Sequence, residues 1–174
     1  AWSVHIGGGE PFINFDGLCS LIKELKKPVI IDADGINAVS TNIDILKEAQ
    51  APVILTPHPG EMSRLCGKTV AEIIANPIGI AHSFAKEYGV TVVLKTANTV
   101  VCDGKRIYVN STGNAGLARG GSGDLLAGMT VSFLAQGIPA FDAAVCAVYL
   151  HGLCADYVAK KTSMRGMLPS DVLN

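Results

Sequence analysis

Aromatic side chains are scarce in this chain, at 6% of 174 residues, and neither sign of charge dominates. Lysine and arginine number 14 against 15 aspartates and glutamates, a formal net charge of −1. Lys23, Lys26 and Lys27 form the one basic surface group, so a nucleic-acid partner has little electrostatic support. Cysteine is sparse: Cys19, Cys66, Cys102, Cys146 and Cys154 are scattered, odd in number and without metal-ligand spacing. They read as buried thiols in a reducing compartment, which points to the cytoplasm. The sequence shows no signal peptide and no membrane-length apolar run, so no membrane partner is expected. Internal repeats, low-complexity tracts and linkers are also lacking. One soluble domain across residues 1–174 is the expectation, large enough to bury a real core.

What is present is aliphatic. Hydrophobic residues make up 49% of the chain, a balance typical of α/β proteins. Strand-like stretches fall at Trp2–Ile6, Pro28–Ile31, Pro52–Leu55 and Thr91–Leu94. Helical spacing appears in Asn14–Leu25, where Leu18, Leu21, Ile22 and Leu25 share a face. Ser40 or Thr41 is placed to cap a helix through Ala49, and Asn76–Pro77 to open one that ends at Tyr88. Short helices are expected over Glu61–Leu65 and Val70–Ala75. Thr99–Cys102 and Arg106–Val109 flank the Asp103–Gly104 turn as a hairpin. Two long helices follow, Ser122–Gln136 and Phe141–Ala159, split at Gly137–Pro139, and a short helix starts near Pro169. Alternating strand and helix imply right-handed βαβ units, a mostly parallel central sheet flanked by helices. Loops at the carboxyl ends of such strands form the binding crevice. Gly7–Gly9, Asp32–Asn37, Thr56–Glu61, Lys95–Thr99 and Asn110–Asp124 would converge there.

The stretch Asn110–Gly128 reads NSTGNAGLARGGSGDLLAG. Glycines let backbone N–H groups turn toward one point, and a helix N-terminus adds partial positive charge. Together they suit phosphate. A carboxylate beside them, Asp124, could take a proton from a hydroxyl attacking a nucleotide's terminal phosphate. Asn114, Gly120, Gly121, Ser122 and Gly123 belong to this candidate nucleotide site. The plainer reading is a tight turn before a helix whose dipole Asp124 favours.

Three further groups carry two readings each. In Thr56-Pro57-His58-Pro59-Gly60-Glu61 the prolines stiffen the turn and aim two side chains. His58 could bond substrate and Glu61 could hold Mg²⁺ through water, because magnesium keeps most of its waters. Alternatively Glu61 only stabilises a helix end. In Asp32-Ala33-Asp34-Gly35-Ile36-Asn37, alternation sends one acid into the crevice and the other toward backbone or solvent. Asp34 and Asn37 are the candidates for substrate or metal-water contacts, with Asx turns as the alternative. Lys95, Thr96, Ala97, Asn98 and Thr99 either bind a nucleotide's ribose and phosphates or make a polar hairpin turn. His151, in an apolar helix, reads as a core or interface histidine.

These blocks in this order resemble the ADP- or ATP-dependent NAD(P)H-hydrate dehydratases, which have a ribokinase-like fold. The matching pieces are VIIDADGINAVS at 29–40, VILTPHPGEMSRLCG at 53–67, VVLKTANTVV at 92–101 and GNAGLARGGSGDLLAGM at 113–129. The stretch around AVYLHGLCAD and the terminal SDVL complete the match. The resemblance implies nucleotide-dependent repair of hydrated NADH and NADPH, with Mg²⁺ and ADP or ATP as phosphoryl donor. A phosphoryl group moves to the added hydroxyl, and phosphate then leaves. It implies Asp124 as the base that contacts substrate, Gly123 against the nucleotide phosphates, His58 on the substrate and Lys95–Thr99 on the nucleotide. Thr96 stands where a glycine is usual. Gly9 corresponds to a glycine of the family's Gly-Pro-Gly-Leu-Gly loop, which here reads Gly7-Gly8-Gly9-Glu10-Pro11.

Family members carry a sizeable segment ahead of the Trp2–Ile6 strand. The chain is therefore expected to be the C-terminal portion of a longer family domain, with little activity alone. Its uncovered sheet edge and apolar C-terminal helices point to self-association. Two alternatives stand beside this: a ribokinase-like small-molecule kinase, and a catalytically incomplete nucleotide-binding fragment.

Overall fold

The computed structural model describes residues 4–6 and 15–173. Six strands make one sheet in sequential order: β1 (Val4–Ile6), β2 (Val29–Ile31), β3 (Val53–Leu55), β4 (Thr91–Leu94), β5 (Val100–Cys102) and β6 (Ile107–Val109). The first four run parallel and the last two antiparallel. The expected α/β sheet, mostly parallel within its first four strands, is the one found.

Alternation along the strands assigns each layer its side chains. Val29, Ile31, Val53, Leu55, Val92 and Leu94 face one core, shared with α1 (Phe15–Glu24), α2 (Asp34–Val39), α3 (Pro59–Cys66), α4 (Val70–Ala75) and α5 (Pro77–Tyr88). Ile30, Ile54, Val93 and Val101 face the other, shared with α6 (Ser122–Ala135) and α7 (Ala140–Lys161). Strands β2, β3 and β4 are buried on both faces, as parallel strands are when helices cover both sides. Consecutive parallel strands joined by crossovers of one hand place α1–α5 on a single face. The antiparallel hairpin then carries the chain across to the other.

Three expectations are corrected. The helix expected from Ser40 or Thr41 is a 3₁₀ helix over Ile43–Glu48, with Asn42 at its N-cap. The Ser40 and Thr41 hydroxyls donate backward to the carbonyls of Asn37 and Ala38, so they serve the end of α2, itself unforeseen. The cysteines are all free thiols, but only Cys102 is buried; the other four are half-buried. A membrane-length apolar helix does exist: α7, at 22 residues, passes by length and composition. Its buried residues, Ala143, Ala144, Ala147, Val148, His151, Gly152 and Ala155 among them, pack on α6, the sheet and the loop after β6, so α7 is a core helix.

The β5–β6 turn illustrates how tightly the layers meet. Asp103 Oδ1 accepts from the Lys105 and Arg106 N–H groups, and Gly104 sits at φ 80°. A Cβ on Gly104 would stand 2.7 Å from Lys86 Cα on α5. Gly104→Ala is therefore expected to destabilise the fold by about 2 kcal/mol, combining left-handed strain with a backbone clash. Urea denaturation measures it directly.

Candidate active site

The parallel strands end on one edge of the sheet, and their next residues continue the rows facing α6. Asp32 follows the row of Ile30, Thr56 that of Ile54, and Lys95 that of Val93. Asp32 and Lys95 meet at the start of α6. Lys95 Nζ lies 2.9 Å from Asp32 Oδ1 and 4.0 Å from Glu61 Oε2. Asp32 is 2% exposed and Glu61 5%. Two buried carboxylates thus face one ammonium group. Ala33, immediately after Asp32, holds φ 47° and ψ −114°, the positive φ of a non-glycine residue. Such backbone strain persists only where its surroundings enforce it.

The Pro57–Glu61 turn explains itself residue by residue. Pro57 C=O accepts from Lys95 N–H at 2.8 Å, which ties the turn to β4. His58 is the N-cap of α3 and Pro59 its first residue, where a missing N–H does no harm. His58 Nδ1 accepts from the Gly60 and Glu61 N–H groups at 3.0 and 3.4 Å. Glu61 Oε2 accepts from His58 N–H at 2.7 Å, which closes a capping box. With Nδ1 accepting, the imidazole proton sits on Nε2, which lies 3.3 Å from Glu61 Oε1. Gly60 is required because a Cβ there would come within 2.8 Å of the His58 ring.

The glycine-rich segment is held from α7. Asn110, almost fully buried, donates Nδ2 to Thr112 O, while its Oδ1 accepts from the Tyr108 and Thr112 hydroxyls. Gly152 lets Thr112 lie directly on α7, since a Cβ there would run into Thr112 Oγ1 and its carbonyl. Asp156 accepts from Gly113 N–H at 2.8 Å with one oxygen and from Asn114 Nδ2 at 2.9 Å with the other. Asn114 Oδ1 accepts in turn from Gly116 N–H. Gly121, at φ 90°, then turns the chain into α6. The N–H groups of Gly123 and Asp124 donate to no partner among the described residues. A Cβ on Gly123 would lie 3.5 Å from Asp32 Oδ2 and 3.6 Å from Lys95 Nζ, so this helix start rests on the ion pair.

Between these walls lies a cleft of about 760 Å³. It brings together His58, Lys95, Thr96, Ala97, Thr99, Asn114, Gly120, Ser122 and Gly123 of the expected residues. Asn98 and Gly121 are exposed but do not line the cleft; Asn98 bonds the Asn110 carbonyl and faces a neighbouring hollow. Asp124 is exposed on the first turn of α6, one residue beyond the cleft wall, and does not line it. Asp34 and Asn37 lie on α2 and bond each other, and Arg64 donates to Asn37; neither lines the cleft. Asp32 is the acid that points inward. Glu61 is sealed beneath the turn with its oxygens on His58, and no cluster of three or more His, Cys, Asp or Glu suits a metal among the described residues. Gly9 lies outside the described residues. His151, expected in the core, is buried but lines the cleft, as do Asn110, Thr112 and Arg119. Strand alternation could have found Asp32; nothing in the sequence marks Thr112 or His151.

The layer order, the crevice at the strand ends and the glycine-rich helix start define a ribokinase-like α/β protein. The chain belongs to the NAD(P)H-hydrate dehydratase family, whose profile matches residues 4–174. It is 40% identical over 177 residues to an ADP-dependent (S)-NAD(P)H-hydrate dehydratase of Neisseria meningitidis, covering 99% of this chain and 60% of that protein. A bifunctional NAD(P)H-hydrate repair enzyme of Moorella thermoacetica is 41% identical over 160 residues, 88% of this chain and 30% of that enzyme. The Bacillus subtilis ADP/ATP-dependent NAD(P)H-hydrate dehydratase, co-crystallised with ATP and Mg²⁺, superposes with a TM-score of 0.85 at 33% identity. That match covers 98% of this chain and 62% of that one. The chain thus spans less than two thirds of these relatives.

Two outcomes are expected. Asp156→Asn sets two amide groups against each other and Asn114→Asp two carboxylates, each lowering stability by about 1–2 kcal/mol. The double variant restores one donor facing one acceptor and regains most of the loss in urea denaturation. The second concerns acid. Burial holds the His151 pKa below its ordinary 6.5, so around that pH the unfolded chain binds the extra proton and stability falls as pH drops through 6.5. His151→Gln flattens this part of the stability–pH curve.

Proposed function

We propose that this chain carries the nucleotide site and the base for repair of hydrated NADH and NADPH, with ADP or ATP as phosphoryl donor. One observation carries the reading: a single cleft joins Lys95–Ala97 and Thr99 to the glycine-rich start of α6, with His58 on the same surface. Free N–H groups at a helix start and the Lys95 ammonium suit the phosphates. His58 lies on the cleft surface with Nδ1 accepting from α3 and Nε2–H facing Glu61 Oε1, so a substrate acceptor would share that Nε2–H with Glu61. Asp124, exposed next to Gly123, accepts the proton of the hydrate's hydroxyl as that oxygen attacks phosphorus. The carbon–oxygen bond then breaks, phosphate leaves with its electron pair, and the adjacent ring carbon gives a proton to water as the double bond of the dihydronicotinamide is restored. Mg²⁺ bound with the nucleotide phosphates would neutralise their charge, and Glu61, its oxygens already serving His58, would contact it only through water. Cytoplasmic placement and the lack of a nucleic-acid partner belong to the same reading, supported by five free thiols and near-neutral charge. Self-association is part of it too, with Tyr149, Leu150, Leu153 and Tyr157 exposed on α7.

The test uses the protein expressed from its complete reading frame, supplied with hydrated NADH, ADP or ATP and Mg²⁺. Recovery of dihydronicotinamide absorbance is expected, and Asp124→Asn should lower the rate by about 10²-fold or more with the fold intact by circular dichroism. A phosphorylated product without recovered NADH would instead mark a small-molecule kinase. Nucleotide binding without turnover would mark a binding module.

A further inference from the structure

The cleft has two chemically different walls. At the start of α6, glycine N–H groups present partial positive charge beside the Lys95 ammonium, which is paired with Asp32. On the buried wall, Leu126 of α6 and Val148 of α7 are apolar, Leu117 of the loop joins them, and His151 stands one turn along from Val148. His151 is 6% exposed, and its Nε2 has no hydrogen-bond partner among the described residues. Ser122 Oγ, where α6 begins, is likewise buried and unpartnered. Buried polar atoms are almost always bonded, so two exceptions on one cavity call for a cause.

The imidazole is a poor match for phosphate, because burial lowers its pKa and leaves it uncharged at neutral pH. It suits an uncharged, planar, polar-edged group whose faces can lie on Leu and Val side chains. A nucleotide has such a group at the end opposite its phosphates. We propose that His151 reads the base of the bound nucleotide, its imidazole hydrogen-bonding the ring edge of a purine packed against Leu126 and Val148. The proposal rests on the nucleotide reading above and adds a side chain to base recognition. Ser122 stands at the junction, where α6 turns from the phosphate end to the base end.

Calorimetric titration of this chain with ADP, UDP and inorganic pyrophosphate tests it. His151→Phe keeps the ring shape without the hydrogen bond and should weaken ADP binding about ten-fold, the loss of one good hydrogen bond. Pyrophosphate binding should stay unchanged, the preference for ADP over UDP should shrink, and His151→Gln should recover most of the ADP affinity. Undiminished ADP binding by His151→Phe, or equal losses for ADP and pyrophosphate, overturns the assignment while the nucleotide reading stands. A wild-type chain that binds neither probe overturns both. Should the variants fail to fold, nitrogen-15 spectra of the wild-type histidines decide. ADP but not pyrophosphate should shift the His151 ring signals, and a ring insensitive to ADP refutes the assignment.

Discussion

Asp32 and Lys95 stand on β2 and β4 with β3 between them, and their 2.9 Å contact spans the sheet at its functional edge. Charges this deeply buried are tolerated only when paired, and losing one partner is far more damaging than losing a surface pair. The contact therefore ties the register of three strands to one geometry. A one-residue slip of either strand would send its charge to the opposite face. Glu61 lies close enough to share the same ammonium, so the α3 turn is bound into the arrangement as well. Gly123 sits on top of it. The helix whose N-terminus faces the cleft is thus seated on an ion pair made by strands of the opposite half of the fold.

The second wall depends on α7 instead. Asp156, Gly152 and the Tyr149 carbonyl each fasten one part of Thr112–Asn114. This fixes the loop ahead of the α6 start, where the Gly123 N–H has no partner among the described residues. The Gly113 and Gly116 N–H groups are spent in this holding, while those of Gly123 and Asp124 at the start of α6 stay available. Such preorganisation is what an anion site needs, since donors already aimed cost no reorganisation when charge arrives. Conspicuous polar residues of the loop, Asn114 above all, turn out to be its fasteners.

Much of this was legible before the fold was known. Short continuous apolar runs announced the strands, glycine and proline marked their loops, and the crevice at the strand ends followed from parallel topology. Legibility failed where a local rule met a distant partner. Ser40 and Thr41 suit an N-cap, but the nearer acceptors at the end of α2 took their hydroxyls. Asp34 and Asn37 look like site residues, yet Arg64, 27 positions beyond Asn37, draws that face away from the cleft. Glu61 reads in the sequence either as a metal-associated acid or as a helix-end acid, and its bond to the His58 N–H shows the second role. His151 reads as core by its apolar neighbours, because no pattern within α7 reveals that a cavity lies against it.

The sequence by itself determined the alternation that sorts the strands, the turn chemistry at Pro57–Glu61 and Asp103–Gly104, and the glycines that open α6. Each of these acts over a few residues, through backbone freedom, capping or side-chain period. Only tertiary structure decided that Asp32, rather than Asp34, meets Lys95, that Asp156 secures Gly113 and Asn114, and that His151 is left on a cavity wall without a partner. Those outcomes depend on groups brought together from dozens of residues apart, where burial makes each unmatched charge or hydrogen bond costly and so leaves few arrangements open.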